Sequence, residues 1–389
     1  MFSLIDLFAG VGGFTEGFSS ARVGGKQLYG PKLLVDNDPK AAASFRYNRQ
    51  SIPYLVADLS EITPGMLLEE AGIPEGGLDV LIGGPPCQGF SVLRRNKAHD
   101  DPRNELVSVF LRFVLDLEPK LVLMENVPNF QTVAKGAIWD SVFASLHDKY
   151  VVGSEVLNAY DYGVPQWRKR TFVAGLRRDL GIAEFEFPMV RESRKAAAKR
   201  LMPNANHDKL LPLVKPWVSV GDAIGDLPSI RAGQEADYYD RRPFSDYQAA
   251  RRKDSVLLRN HVARKHEASF LDKLAKIDEG GSNFELDGRK KFDRQREIKY
   301  LSQAYGRLHR EGIAQTITAH FLNPGSGRFI HYRDLRSITV REAARFQSFN
   351  DDFVFCGNLQ TQQKLVGNAV PPLMARALAE HFGKILSSI

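Results

Sequence analysis

At 389 residues, 43% hydrophobic and 25% charged, the chain has the composition of a soluble globular protein and more length than one ordinary domain uses. Two cysteines exclude a disulfide framework, no CxxC pair suggests zinc, and no stretch approaches the ~20 apolar residues of a membrane helix. The net charge of +7 is localised: Arg191 to Arg310 holds 26 Lys and Arg against 17 Asp and Glu, leaving the remainder slightly acidic. Such a segment reads as a polyanion-binding module joined to a near-neutral body.

Taken in chain order, short apolar runs alternate with helical patterns. Strands are predicted at Ser3–Phe8, Lys32–Val35, Tyr54–Val56, Val80–Ile82, Leu121–Met124, Val151–Leu157 and Thr171–Gly175. Helices are predicted at Gly12–Arg22, Pro39–Asn48, Gly65–Ala71, Glu105–Leu117 and Ile138–Lys149. Successive β-α-β units imply a doubly wound, mostly parallel α/β sheet. The start, MFSLIDLFAG, lacks the basic and apolar regions of a signal peptide, and the two cysteines make a reducing compartment the simple expectation.

The first strand runs into Asp6-Leu7-Phe8-Ala9-Gly10-Val11-Gly12-Gly13-Phe14. Its glycines allow a tight turn and close approach of a ligand to amides at a helix N-terminus. The spacing departs from the dinucleotide pattern GxGxxG, and the loop has no cation for a phosphate. A nucleoside-type cofactor without a pyrophosphate fits better. Asp36, after the next strand, is placed for ribose hydroxyls, and Asp58, after the third, for an adenine amino group.

Gly83-Gly84-Pro85-Pro86-Cys87-Gln88-Gly89-Phe90-Ser91 follows the fourth strand. Two prolines fix φ and stiffen the path to a thiol, the setting of a nucleophile rather than of a buried, inert cysteine. Glu125-Asn126-Val127 closes the following strand, so Glu125 and Cys87 end neighbouring strands and can face one ligand as acid and nucleophile. Gln166-Trp167-Arg168-Lys169-Arg170 precedes the last strand, where arginines can bind a base carbonyl or a phosphate.

From Phe185 the periodicity fades into charged runs such as Arg191–Arg200, Arg241–Lys253 and Lys290–Lys299. A second domain is placed at 185–330, between a catalytic and cofactor-binding segment at 1–184 and a return at 331–389, where helical texture reappears at Thr339–Phe349 and Pro371–Leu386. His207, His261, His266, His309, His320 and His331 show no zinc spacing and read as structural or near phosphates, and Cys356 reads as core. Thr316-Ile317-Thr318-Ala319 reads as a segment that holds the hinge or a DNA backbone.

Six motifs in this order, DLFAGVGGF, PPCQGFS, ENV, QWRKR, TVREAAR at Thr339–Arg345 and GNAVPP at Gly367–Pro372, resemble the C5-cytosine DNA methyltransferase family. The resemblance implies S-adenosyl-L-methionine as cofactor, with Phe8 against its adenine and Ala9, Gly10, Val11, Gly12 and Gly13 around its amino-acid part. Asp36 would bind the ribose and Asp58 the adenine amino group, while Asn37, Leu59, Pro85, Leu106, Asn368 and Ala369 would complete the pocket. Asp36 is shorter than the glutamate the family often uses there. By the same resemblance Cys87 attacks cytosine C6, Glu125 protonates or hydrogen-bonds N3, Arg168 holds O2 and Arg170 supports the site. The basic segment becomes a target-recognition domain for double-stranded DNA, acting on a flipped base as a monomer, without a metal or an obligatory protein partner. Two rivals stand beside this reading. One keeps the chemistry on RNA, as in the tRNA-directed branch of the family; the other is a catalytically silent DNA-binding protein, against which the intact Cys87, Glu125, Arg168 and Arg170 argue.

Overall fold

The structure, a computed structural model, describes residues 1–86, 105–132, 136–188, 218–282 and 304–389. Cys87, the runs Arg191–Arg200 and Lys290–Lys299, and His207 lie outside the described residues. The described chain forms two compact units, one of residues 1–158, 169–188 and 370–389, the other of 159–168 and 218–369.

The first unit is built on β1 (Phe2–Leu7), β2 (Arg22–Val23), β3 (Lys26–Gln27), β4 (Tyr29–Asp36), β5 (Tyr54–Val56), β6 (Val80–Gly83), β7 (Leu121–Asn126), β8 (Tyr150–Asn158) and β9 (Lys169–Arg177). β2 and β3 form a small hairpin, and the other seven make one sheet in the order β5-β4-β1-β6-β7-β9-β8. Pairing is parallel from β5 to β7 and antiparallel at β7–β9 and β9–β8. The central strands are continuous apolar runs because helices cover both faces of the sheet. Its helices are α1 (Gly13–Ser20), α2 (Pro39–Asn48), α3 (Pro64–Ala71), α4 (Glu105–Leu117), α5 (Ala137–Leu146) and a C-terminal helix, Pro372–Ser387. Asp38 caps α2 and Thr63 caps α3, each followed by a proline whose missing N–H costs nothing in the first turn. α1 ends at Ser20, two residues short of the predicted Arg22, because Arg22 pairs into the β2–β3 hairpin. The C-terminal helix packs on α1 so closely that a Cβ on Gly17 would sit 2.3 Å from the Cβ of Ala375. β1 lies between β4 and β6, where the strand order reverses, so ligands are expected outside the carboxyl ends of these strands.

The second unit has little sheet. It holds α6 (Val220–Ile224), α7 (Asp246–Arg252), α8 (Ala268–Leu274), α9 (Val340–Phe346) and α10 (Leu359–Asn368), joined by isolated bridges such as Arg307↔Ile330 and Ile330↔Ser337. Short helices of this kind need good ends. Ser219 with Asp222, and Thr339 with Glu342, each complete a reciprocal capping box. α9, which the sequence assigns to the returning segment, packs inside this unit because Arg345 reaches Asp226 beside α6 and Asp351 beyond its own C-terminus.

Candidate active site

The turn after β1 and the carboxyl ends of β4, β5, β6 and β7 build the candidate site of the first unit. After β1, Phe8 takes φ of 55° and Gly10 and Gly12 take 52° and 81°. A left-handed phenylalanine is costly, so the turn is over-determined by its surroundings. Asp36, the last residue of β4, accepts the Gly10 amide at 2.8 Å and the Asp38 amide at 2.9 Å. Tyr54 of β5 donates to the Gly10 carbonyl at 2.7 Å. Both ends of one glycine are thus clamped, while a Cβ added at Gly10 would meet nothing within 4 Å. The glycine faces open space. Gly12 is different: a Cβ there would lie 2.4 Å from the Phe45 ring, so α2 leaves no room for a side chain. Ala9 donates to the Val35 carbonyl at 3.1 Å, Val11 and Gly13 are buried, and half-buried Phe8 leans on the sheet core.

Asn37 is exposed beside Asp36. Asp58 is also exposed beyond β5, where the Ser60 hydroxyl and amide hydrogen-bond its carboxylate and hold it below the usual carboxylate range. Leu59 is buried, and its carbonyl accepts Arg112 of α4 at 2.7 Å. Leu106 lies half-buried at the start of α4. This donor set is carboxylate-rich and has no cation in the glycine turn. It suits the hydroxyls and amines of a cationic nucleoside and does not suit a phosphate.

At the neighbouring strand ends, β6 and β7 pair in parallel with Gly83 opposite Met124. The next residues therefore meet: a Cβ on Gly84 would lie 3.4 Å from Glu125 Oε2. Glu125 Oε1 pairs with Arg170 Nε of β9 at 2.8 Å, both side chains being about 85% buried. Asn126 donates its side-chain amide to the Pro85 carbonyl at 3.1 Å while its Oδ1 accepts the Val127 amide at 2.8 Å. Prolines have no N–H, so Pro85 and Pro86 cannot tie themselves to the sheet as donors. The Pro85 carbonyl takes over, and Asn126 is its partner. Sequence reasoning placed Asn126 within its motif without giving it this task.

The two arginines of QWRKR part company. Arg170 stands in the first unit beside Glu125, whereas Arg168 is buried in the second. There its guanidinium donates to the carbonyls of Ile317, Gly367 and Ala369 at 3.0 to 3.2 Å. Gln166 is likewise committed, to Phe346, Gln347 and Ile317. Trp167 stacks on Tyr160 at 4.9 Å. Asn368 is exposed at the end of α10, and Ala369 is the buried residue that follows. Thr316 donates to the Trp167 carbonyl at 2.8 Å, and Gly367 packs against the backbone of Thr318 and Ala319 with no space for a Cβ. Among the described residues no three His, Cys, Asp or Glu gather as metal ligands, and Cys356 is half-buried.

A family model for the C-5 cytosine-specific DNA methylase matches residues 2–384. The chain belongs to that family. It is similar to the type II methyltransferase M.DdeI of Desulfomicrobium norvegicum, 34% identical over 406 residues that cover all of this chain and 90% of the relative. M1.HphI of Haemophilus parahaemolyticus, also a type II methyltransferase, is 34% identical over 379 residues, 97% of this chain and 85% of the relative. Two solved structures share the fold. A chain named as a DNA modification methyltransferase from an E. coli prophage superposes with a TM-score of 0.71 at 24% identity over both full chains. S. pombe Dnmt2 methyltransferase gives 0.59 at 14%, covering 100% of this chain and 99% of the other. The mostly parallel seven-stranded sheet is that of the methyltransferase fold, and the chain is a C5-cytosine DNA methyltransferase.

Proposed function

We propose that the enzyme takes a cytosine flipped out of double-stranded DNA and methylates its C5 from S-adenosyl-L-methionine, with Cys87 as nucleophile. The observation that carries the assignment of roles is the Glu125–Arg170 pair at 2.8 Å, beside Gly84 on the path to Cys87. A stacked base is inaccessible to side chains, so extrusion precedes chemistry. The Cys87 thiolate adds to C6, and the electron pair displaced from the C5–C6 bond makes C5 nucleophilic. Glu125 donates a hydrogen bond or proton at N3, where negative charge gathers. The role of holding O2, given to Arg168 by resemblance, passes to Arg170, because Arg168 already serves three carbonyls. When bound, S-adenosyl-L-methionine supplies an electrophilic methyl group on its sulfonium. Phe8, Gly10, Asp36 and Asp58 would hold it, since they offer an open turn and carboxylate acceptors. Loss of the C5 proton to a base and expulsion of the Cys87 sulfur then restore the aromatic ring.

The basic stretch from Arg191 to Arg310 supports a phosphate-contacting role that sets register on DNA. Among the described residues no helix is long and apolar enough to cross a membrane. The enzyme would work as a monomer in the cytoplasm on the nucleoid, either within a restriction–modification system, which the type II relatives' names favour, or as an orphan modification enzyme. The test supplies labelled S-adenosyl-L-methionine with duplex DNA and tRNA in competition, for the native chain and Cys87→Ala. Label in duplex cytosine, lost in the variant, is expected. Label in tRNA moves the substrate to RNA, and turnover by Cys87→Ala sinks the mechanism. A pure DNA binder would form no covalent adduct with 5-fluorocytosine DNA.

A further inference from the structure

The glycine turn covers a buried acid that the chemistry above does not use. Asp6, the penultimate residue of β1, is 1% exposed. Its Oδ2 accepts the Thr15 hydroxyl of α1 at 2.6 Å. Its Oδ1 is buried and makes no hydrogen bond of ordinary geometry among the described residues. An ionised carboxylate offers about four acceptor positions, and leaving one oxygen dry is far costlier for the anion than for the neutral acid.

The groups facing Asp6 come from three elements. α1 contributes Thr15, β4 contributes Asp36, and β5 contributes Tyr54, whose hydroxyl is already donated to Gly10. None of them is a cation. Burial pushes the Asp6 carboxyl up to about 7; the Thr15 hydroxyl pulls it back, Asp36 pushes it up again, and the Thr15 amide lowers it slightly. Asp36 also clamps Gly10, whose outer side is open. The turn is thus a ligand-facing surface with an uncompensated acid beneath it, and charge placed in that turn acts on Asp6 through a low-dielectric interior.

Resting on the cofactor assignment above, we propose that Asp6 is a proton-linked countercharge: it holds a proton in the free enzyme and releases it to solvent when the cationic methyl donor occupies the glycine turn. A nearby cation favours the ionised acid, so donor binding and proton release are reciprocally coupled. The dissociation constant then falls as pH rises through the Asp6 titration, about tenfold between pH 6 and pH 8, and levels off above.

Calorimetric titration of the full chain with S-adenosyl-L-methionine at pH 7, in buffers of low and high ionisation enthalpy, counts the protons released. The native enzyme should release about half a proton more than Asp6→Asn, since about half of Asp6 is protonated at that pH. The donor's own amino group titrates in both proteins and cancels in the difference. Equal proton counts in two proteins that both bind would overturn the proposal. Should Asp6→Asn not fold by circular dichroism, Thr15→Val replaces it. Loss of the hydroxyl must move the midpoint of the affinity–pH curve upward, and an unmoved midpoint overturns the proposal equally. Failure of the native chain to bind the donor would sink the cofactor assignment and this inference together, whereas binding without an Asp6-dependent proton sinks the inference alone.

Discussion

Apart from the Glu125–Arg170 pair, the strand-end carboxylates of the first unit and the buried ones of the second meet charge in opposite ways. At the strand ends of the first unit, Asp36 and Asp58 are held mainly by amides and hydroxyls, and Asp6 is buried with no cation facing it. In the second unit buried arginines meet carboxylates and backbone carbonyls. Arg345, fully buried, binds Asp351 through Nε at 2.9 Å and through Nη2 at 2.6 Å, and its Nη1 reaches Asp226 and the Ala223 carbonyl. Arg336 grips Glu342 with two bonds of 2.8 Å and Asp334 with a third. Arg341 spends its guanidinium on the carbonyls of Arg259, Asn350 and Phe353. A unit with little sheet and short helices has replaced ladder hydrogen bonds with charged ones, which fixes loops in place. The first unit has its sheet for that purpose and can leave acceptors for a ligand.

The contrast predicts that site residues control rate and network residues control folding. Glu125→Gln keeps the shape and removes the acid, so kcat should fall by about 10²–10⁴, as for a lost general acid, with only a small fall in melting temperature because the Gln carbonyl can still accept from Arg170. Single-turnover methylation alongside thermal melting checks it. A large fall in melting temperature would mean that Glu125 is mainly structural and that the contrast is misdrawn.

Arg345→Ala should do the reverse. It removes the principal cation of buried Asp226 and Asp351 and leaves them Arg252 at 3.7 Å and Arg341 at 3.8 Å, a defect that costs about 3–5 kcal/mol. Urea denaturation would show the loss, and donor binding to the fraction that remains folded should persist. A cost below about 1 kcal/mol would mean that the network is no more than a surface-like set of pairs.

Much of the first unit is legible in the sequence because strand runs end in turn residues, which places Asp36, Asp58 and Glu125 at carboxyl ends without a structure. Asp6 is not legible: it lies inside an apolar run, and its partner Thr15 is nine residues away on a helix. Arg168 and Arg170 share the parity of a strand, so the motif alone gives them equal claims. β9 begins only at Lys169, and that boundary separates the arginine that pairs with Glu125 from the one bound to backbone carbonyls. In the second unit the capping box of Thr339 and Glu342 can be read, yet the burial of Arg345 cannot. Arginine is ordinarily exposed, and Asp226 lies 119 residues away.

Acid should separate the units. Nδ1 of His331 accepts the Asp334 amide at 2.9 Å and the Arg333 amide at 3.2 Å, so that nitrogen cannot carry a proton. Burial drives the imidazole down to about 3, against the pull of Glu342. Its folded-state value lies below the unfolded one, so only the unfolded state takes up a proton as pH falls below about 6.5. Stability present at neutral pH is therefore lost on acidification, by about 3 kcal/mol at pH 4.5. Glu342 and Asp351 are also held below the usual range, each against its own burial, chiefly by Arg336 and Arg345 respectively, and they add to the loss below pH 4. Asp6 runs the other way, because a raised carboxyl binds its proton more tightly when folded and favours the first unit at lower pH. Hydrogen exchange at pH 4.5 and 7.5 should show residues 336–346 losing protection before residues 33–45. Equal loss would show that the two units unfold as one.

The smallest expected effect concerns Asn126. Asn126→Asp preserves volume and the acceptor for the Val127 amide, but replaces the donor to the Pro85 carbonyl with an oxygen that repels it. Pro85 and Pro86 have no N–H to offer in compensation, so the segment leading to Cys87 loses this tie to β7. A buried acceptor left unmatched costs about 1–3 kcal/mol. If that cost falls on the geometry of attack, the rate of covalent trapping by 5-fluorocytosine DNA should drop about tenfold or more, while S-adenosyl-L-methionine affinity holds, because the glycine turn belongs to β1 and β4. A matching fall in donor affinity would mean that the two strand-end sites are mechanically one, and that the openness of the first unit is more tightly braced than its sparse side-chain bonds suggest.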